Sequence, residues 1–130
     1  MPYHFEFDSV HKILLLAYEG EVQSGEVGKA NLDMAQHVHR LKPAVGIADL
    51  SAVKIFDVSA ESLRAAAKQP SPYPEETPRF IVAPTDYLFG MARMYEIMAD
   101  RPQGKLRVVR KREEALAAQS VRDAKFERLE

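Results

Sequence analysis

The sequence of 130 residues contains no cysteine, so it holds no disulfide framework, no thiolate metal site and no thiol nucleophile. It has almost no net charge: 18 Lys and Arg against 19 Asp and Glu leave −1, which removes the main electrostatic reason to expect nucleic-acid binding. Long apolar runs are missing too. The longest, residues 13–18, is far too short to cross a bilayer, and no basic-then-apolar start follows Met1, so a cytoplasmic location is expected. Gly-x-Ser-x-Gly is absent, and the glycines at 20, 25 and 28 form neither a Walker nor a dinucleotide motif. These absences argue against nucleophile-elbow hydrolysis, nucleotide-triphosphate chemistry and nicotinamide chemistry.

What is present reads as one α/β domain over residues 1–130, with a charged helix or tail from about residue 120. Hydrophobic residues make up 46% of a chain of this length, which is enough for a substantial core. Residues 3–8 alternate polar and apolar, as in a strand with one wet face, and residues 12–19 follow as a second strand after a turn at His11 and Lys12. So short a connection makes the pair an antiparallel hairpin. Val27, Met34, Val38 and Leu41 fall at helical spacing and predict a helix over 26–42. Residues 45–50 form a short buried strand and 51–58 a connection. Ser59 is an N-cap, with Val58 and Leu63 spaced as a hydrophobic staple around it, for a helix fading near Gln69. Pro70, Pro72, Pro74 and Pro78 stiffen the loop that follows. A strand over 79–83, a helix capped by Thr85 or Asp86 and running to about Asp100, a strand over 106–110 and a helix from about Lys111 complete the chain, with Ser120 as a break.

The predicted order is β-β-α-β-α-β-α-β-α, a five-stranded mixed sheet with sequential right-handed crossovers and helices mainly on one face. Yet Ile13, Leu14, Leu15 and Leu16 present apolar side chains to both faces, and parallel strands are normally covered on both sides. The N-terminal strand and tail, a partner subunit or a ligand must therefore cover the second face, which gives a physical reason to expect association.

The segment Asp49-Leu50-Ser51-Ala52-Val53, followed by Asp57-Val58-Ser59-Ala60, resembles the STAS superfamily, which includes bacterial anti-sigma-factor antagonists and the cytoplasmic domains of sulfate transporters. Over residues 1–120 the element order resembles that superfamily as well. The stretch Phe89-Gly90-Met91-Ala92-Arg93-Met94-Tyr95 and the helix start Arg112-Glu113-Glu114-Ala115-Leu116 are similar to small bacterial members related to CRAL-TRIO lipid-binding domains. The resemblance implies a non-catalytic, protein-binding role. In the antagonists the second serine of Asp-Ser-Ser-Gly is phosphorylated, and Ser59 stands at that position, with Val58 and Ala60 in place of the flanking serine and glycine.

The carboxyl ends of the strands are where open α/β sheets bind ligands. Asp49, Ser51, Asp57 and Ser59 belong to that edge and are the candidates for a partner-binding surface or a phospho-switch. The plain alternative is that Ser59 only caps a helix and Asp49 only ends a strand. Asp49 and Asp57, eight positions apart with a loop between, imply no fixed acid–base pair. His37 and His39 lie two positions apart on a helix, not the three or four a metal grip needs, so no metal is expected; Asp33, one turn before His37, is placed to pair with it. Between residues 87 and 99 the polar side chains are essentially Arg93 and Glu96, which predicts a helix buried on more than one side. Phe89, Met91, Met94 and Tyr95 are its candidates to line an apolar ligand pocket or a partner groove, with central core packing the plain alternative. Residues 101–112 carry six basic residues and no acidic one, which suits an edge strand protected from aggregation or, as a sharper reading, an anion or acidic-lipid surface.

Two functions are thus expected from sequence: a regulatory domain that binds a protein partner near residues 49–62, with homodimerisation through the helix-free face, or a carrier or sensor of an apolar or amphipathic small molecule beside the third long helix. Neither requires a cofactor or catalysis.

Overall fold

A computed structural model describes residues 2–98 and 105–129. The elements are β1 (Tyr3–Asp8), β2 (Ile13–Gln23), α1 (Glu26–Leu41), β3 (Val45–Asp57), α2 (Ala60–Ala67), β4 (Arg79–Val82), α3 (Asp86–Met98), β5 (Leu106–Val109), α4 (Arg112–Ala118) and β6 (Glu127–Arg128). They form an α/β fold around a mixed sheet of order β5-β4-β3-β2-β1-β6. Strands β2 to β5 are parallel neighbours, whereas β1 pairs antiparallel with both β2 and β6.

Local chemistry accounts for the start of this order. The Asp8 carboxylate accepts from the amides of Val10 (2.9 Å) and His11 (3.0 Å), closing the hairpin turn, and Lys12 takes the left-handed conformation that reverses the chain (φ 56°). In β2, Leu14, Leu16 and Tyr18 join the core beneath α1, α2 and α3, while Ile13 and Leu15 join a second core on the opposite face. The alternation that made both faces apolar is thus realised.

Three details differ from the sequence expectation. The sheet has six strands, because residues 127–128 add a short edge to β1; two residues carry no periodic pattern that could announce them. β2 and β3 run on to Gln23 and Asp57 as a paired ribbon, so residues 51–57 are strand and not connection. Register shifts between Ala17 and Glu19 and between Gly20 and Glu21 interrupt the two-residue period there, which hides the strand from a pattern search. The face expected to lack helical cover is covered by the chain itself: Ala115 of α4 is fully buried in the second core, with Leu116, Val121 and Phe126 packed around it. The need for a partner on that face is thereby removed. The end of the third long helix near Asp100, and Arg101 of the basic run, lie outside the described residues.

The C-terminal segment is fastened at both ends of its path. The amide of Lys125 donates to Asp8 Oδ2 (2.9 Å), the amide of Leu129 donates to the carbonyl of Phe5 (2.8 Å), and the Arg112 guanidinium lies 5.5 Å from the Phe126 ring centroid.

Candidate functional site

Between the sheet and its three-helix cover lies a cavity of about 140 Å³. Its walls come from β2 (Leu16, Tyr18), β3 (Ala48, Leu50), β4 (Ile81), α1 (Val27, Met34), α2 (Leu63, Ala67) and α3 (Met91, Ala92). Each helix contributes residues of its inward stripe, and most of the residues that line the cavity are apolar. Aromatic and small residues shape one end. Tyr73, from the proline-rich loop, lies over Gly46 so closely that a Cβ there would sit 2.5 Å from the Tyr73 Cζ and Oη atoms. Glycine is what allows the ring to reach the sheet.

Polar groups gather where the cavity meets solvent. Asn31 Nδ2 donates to Gln69 Oε1 and to the Tyr95 hydroxyl, both at 3.3 Å. Arg79, at the start of β4, donates from Nη1 to Ser71 Oγ (3.3 Å) and from Nε to the Thr77 carbonyl (3.4 Å). Asn31, Gln69, Ser71, Arg79 and Tyr95 all line the cavity and are all half-buried, as expected of a rim. Burial pushes the Tyr73 and Tyr95 hydroxyls above their usual pKa, with the Arg79 charge acting in the opposite sense on both. Burial likewise pushes up Tyr18, so the phenols remain protonated donors at neutral pH.

The candidates at the strand ends are dispersed in role. Asp49 is buried (3% exposed), on the face opposite the cavity, where its Oδ2 accepts from Arg112 Nε at 2.8 Å and its Oδ1 from the Ser51 amide at 2.8 Å. It therefore fastens α4 to β3. Ser51 and Asp57 are exposed. Ser59 is the N-cap of α2, its Oγ accepting from the Ser62 amide at 3.1 Å, and Val58 and Leu63 are buried on either side of it. On this same side Ile55 and Tyr87 are exposed, and the Tyr87 hydroxyl donates to the Phe56 carbonyl at 3.3 Å.

On α3, Met91 and Tyr95 face the cavity, but Phe89 and Met94 do not line it. Phe89 lies under the Arg110 guanidinium (4.2 Å), and Met94 points outward with Tyr87 and Ile97, the last 73% exposed. The helix covers the sheet from one side and keeps an apolar outer stripe, contrary to the expectation of burial on several sides. His4 and His11 make local contacts with Glu6 and Asp8. His37 packs against Phe5 with the rings tilted (4.5 Å between centroids) and contacts Arg40 instead of Asp33, which accepts from the Tyr3 hydroxyl at 2.5 Å. Burial, then the Arg40 charge, lower the His37 pKa, with Asp33 opposing them. Among the described residues no group of three or more His, Asp or Glu side chains is placed to hold a metal ion, and no helix is long and apolar enough to cross a membrane.

The sequence matches no protein-family model and no curated protein. The site is therefore read from its own geometry. Sequence reasoning missed Tyr18, Gly46, Tyr73 and Arg79. The one local signal was Tyr73 itself, an aromatic residue set among prolines in a loop where solvent-facing residues are the norm.

Proposed function

We propose that this protein binds a small amphipathic molecule in the cavity between its sheet and α1 to α3, acting as a carrier or sensor and not as a catalyst. The observation that carries this reading is the cavity itself: largely apolar walls drawn from the sheet and three helices, with a few polar side chains, Asn31, Gln69, Ser71 and Arg79, among them. Ligand sites in proteins have this composition, an apolar enclosure with a few convergent polar groups that fix orientation. A cavity of about 150 Å³ is large enough for one benzene-sized molecule. Native mass spectrometry of protein from fresh lysate tests the reading. A bound low-mass species that is lost in an Ala92→Phe variant, whose new ring occupies the cavity, is the expected result. Protein that carries no such species, and that shows no response to added aromatic probes, overturns it.

A second reading, the STAS-like protein-binding role, draws support from the exposure of Ile55 and Tyr87 and from the position of Ser59 at a strand-to-helix junction. A partner docked there would be displaced by Ser59→Asp and by Ile55→Asp without loss of thermal stability. A co-purifying protein retained equally by both variants would contradict this docking edge.

A further inference from the structure

The outer side of α3, away from the cavity, carries an apolar stripe that stays exposed. Tyr87, Gly90, Met94 and Ile97 follow one another at intervals of three, four and three residues, and all four are open to solvent. That is the spacing by which one helix presents a seam to another. Gly90 is the informative member. A glycine inside a helix is less stable than an alanine there, and its own chain gives no reason for it: a Cβ at this position would meet nothing within 4 Å. Glycine serves close approach of another group to the backbone, and here the open space faces outwards.

We propose that α3 is the contact of a homodimer, in which two copies of the helix pack antiparallel about a two-fold axis, Tyr87 of each seated on Gly90 of the other. A second copy is the occupant because the stripe complements itself. It holds both the bulky side chain and the gap that receives it, as a two-fold interface requires. The charges at its border agree. Asp86 and Arg93 are exposed and lie seven residues apart, so they share one flank of the stripe. With Tyr87 over Gly90, Asp86 of one copy comes opposite Arg93 of the other, twice by symmetry. Sliding the helices by seven residues would instead set Arg93 against Arg93, which fixes the register. Within its own chain Asp86 meets Arg110 at 2.9 Å and Arg93 meets Glu96 at 3.6 Å. The Asp86 side chain is nevertheless 99% exposed, which leaves its second oxygen accessible across the seam. This contact stands whether or not the cavity holds a ligand.

Sedimentation velocity of the full chain, from micromolar to millimolar concentration, tests the dimer. The expected result is a mass that rises to twice that of the chain. Gly90→Gln adds a helix-favouring side chain in open space, so it should keep or raise thermal stability while weakening association about tenfold or more. Asp86→Arg and Arg93→Asp should each weaken association, and an equimolar mixture of the two should restore it, because both pairs across the seam are then opposite in sign. A purely structural role for either residue would give no such rescue on mixing. A parent chain that stays monomeric throughout overturns the proposal, including one that binds anionic lipid vesicles as a monomer, which would assign the stripe to a membrane surface. A dimer indifferent to Gly90→Gln, or charge variants that do not recover on mixing, would equally overturn it.

Discussion

The Arg112 guanidinium meets the Asp49 carboxylate at 2.8 Å, joining the first residue of α4 to the middle of β3 across 63 positions of sequence. Asp49 is buried and Arg112 about one-third exposed, so the pair is shielded on one side only. Removing Arg112 strands a buried carboxylate that, among the described residues, retains the Ser51 amide. Arg112→Ala is expected to cost about 2 kcal/mol or more, and a double-mutant cycle with Asp49→Asn in urea should return a coupling well above the roughly 0.5 kcal/mol of an exposed pair.

Asp8 makes the fold sensitive to acid. Burial alone would raise its pKa, but hydrogen bonds from His11 (amide and ring), Lys125 and Val10 prevail and hold it at about 2. A carboxylate depressed in the folded state stabilises the protein fully above its unfolded pKa, near 4, and this contribution is lost as pH falls from about 4 through 2. The loss amounts to about 2 kcal/mol. Urea titrations at pH 6 and pH 2.5 should show this fall in the native protein and a clearly smaller one in Asp8→Asn, which should also loosen residues 119–129.

Gly46→Ala places a methyl group where the Tyr73 ring now sits. The ring must move off the sheet, and overpacking of this kind costs about 1 to 3 kcal/mol. Tyr73 fluorescence quenching by iodide should rise. Unchanged quenching and stability would mean the ring is not held against β3.

Ser59→Ala removes the cap of α2 and should cost about 1 kcal/mol, whereas Ser59→Asp keeps an acceptor for the Ser62 amide and adds negative charge at a helix start, so its stability should stay within about 0.5 kcal/mol of the parent. Thermal unfolding of the two variants side by side checks this.

Much of the architecture could be read from residue order because neighbouring residues specify it. The staple of Val58 and Leu63 around Ser59, the alternation of residues 3–8 and the double-faced run at Ile13 to Leu16 each depend on positions a few residues apart. The missed features depend on distant ones. β6 exists because Asp8 and Phe5 bind the backbone of the C-terminal segment, an arrangement of residues more than a hundred positions apart. The second face is closed by Asp49 and Arg112, whose pairing no local pattern announces. The cavity needs Tyr18, Gly46, Tyr73 and Arg79 from four separate segments, and only the folded chain brings them together. Met94 faces outward for a related reason: its apolar character fits an inward face equally well, and the side from which α3 is covered depends on neighbours that its own sequence does not name.

Whether the space between the sheet and α1 to α3 receives a guest is tested most directly by methyl NMR during titration with benzene. The account predicts saturable shifts at Leu16, Leu50, Leu63, Ile81 and Met91, with Ile13, Leu15 and Val82 on the opposite face unmoved. Uniform small shifts across both sets, or none at all, would contradict it.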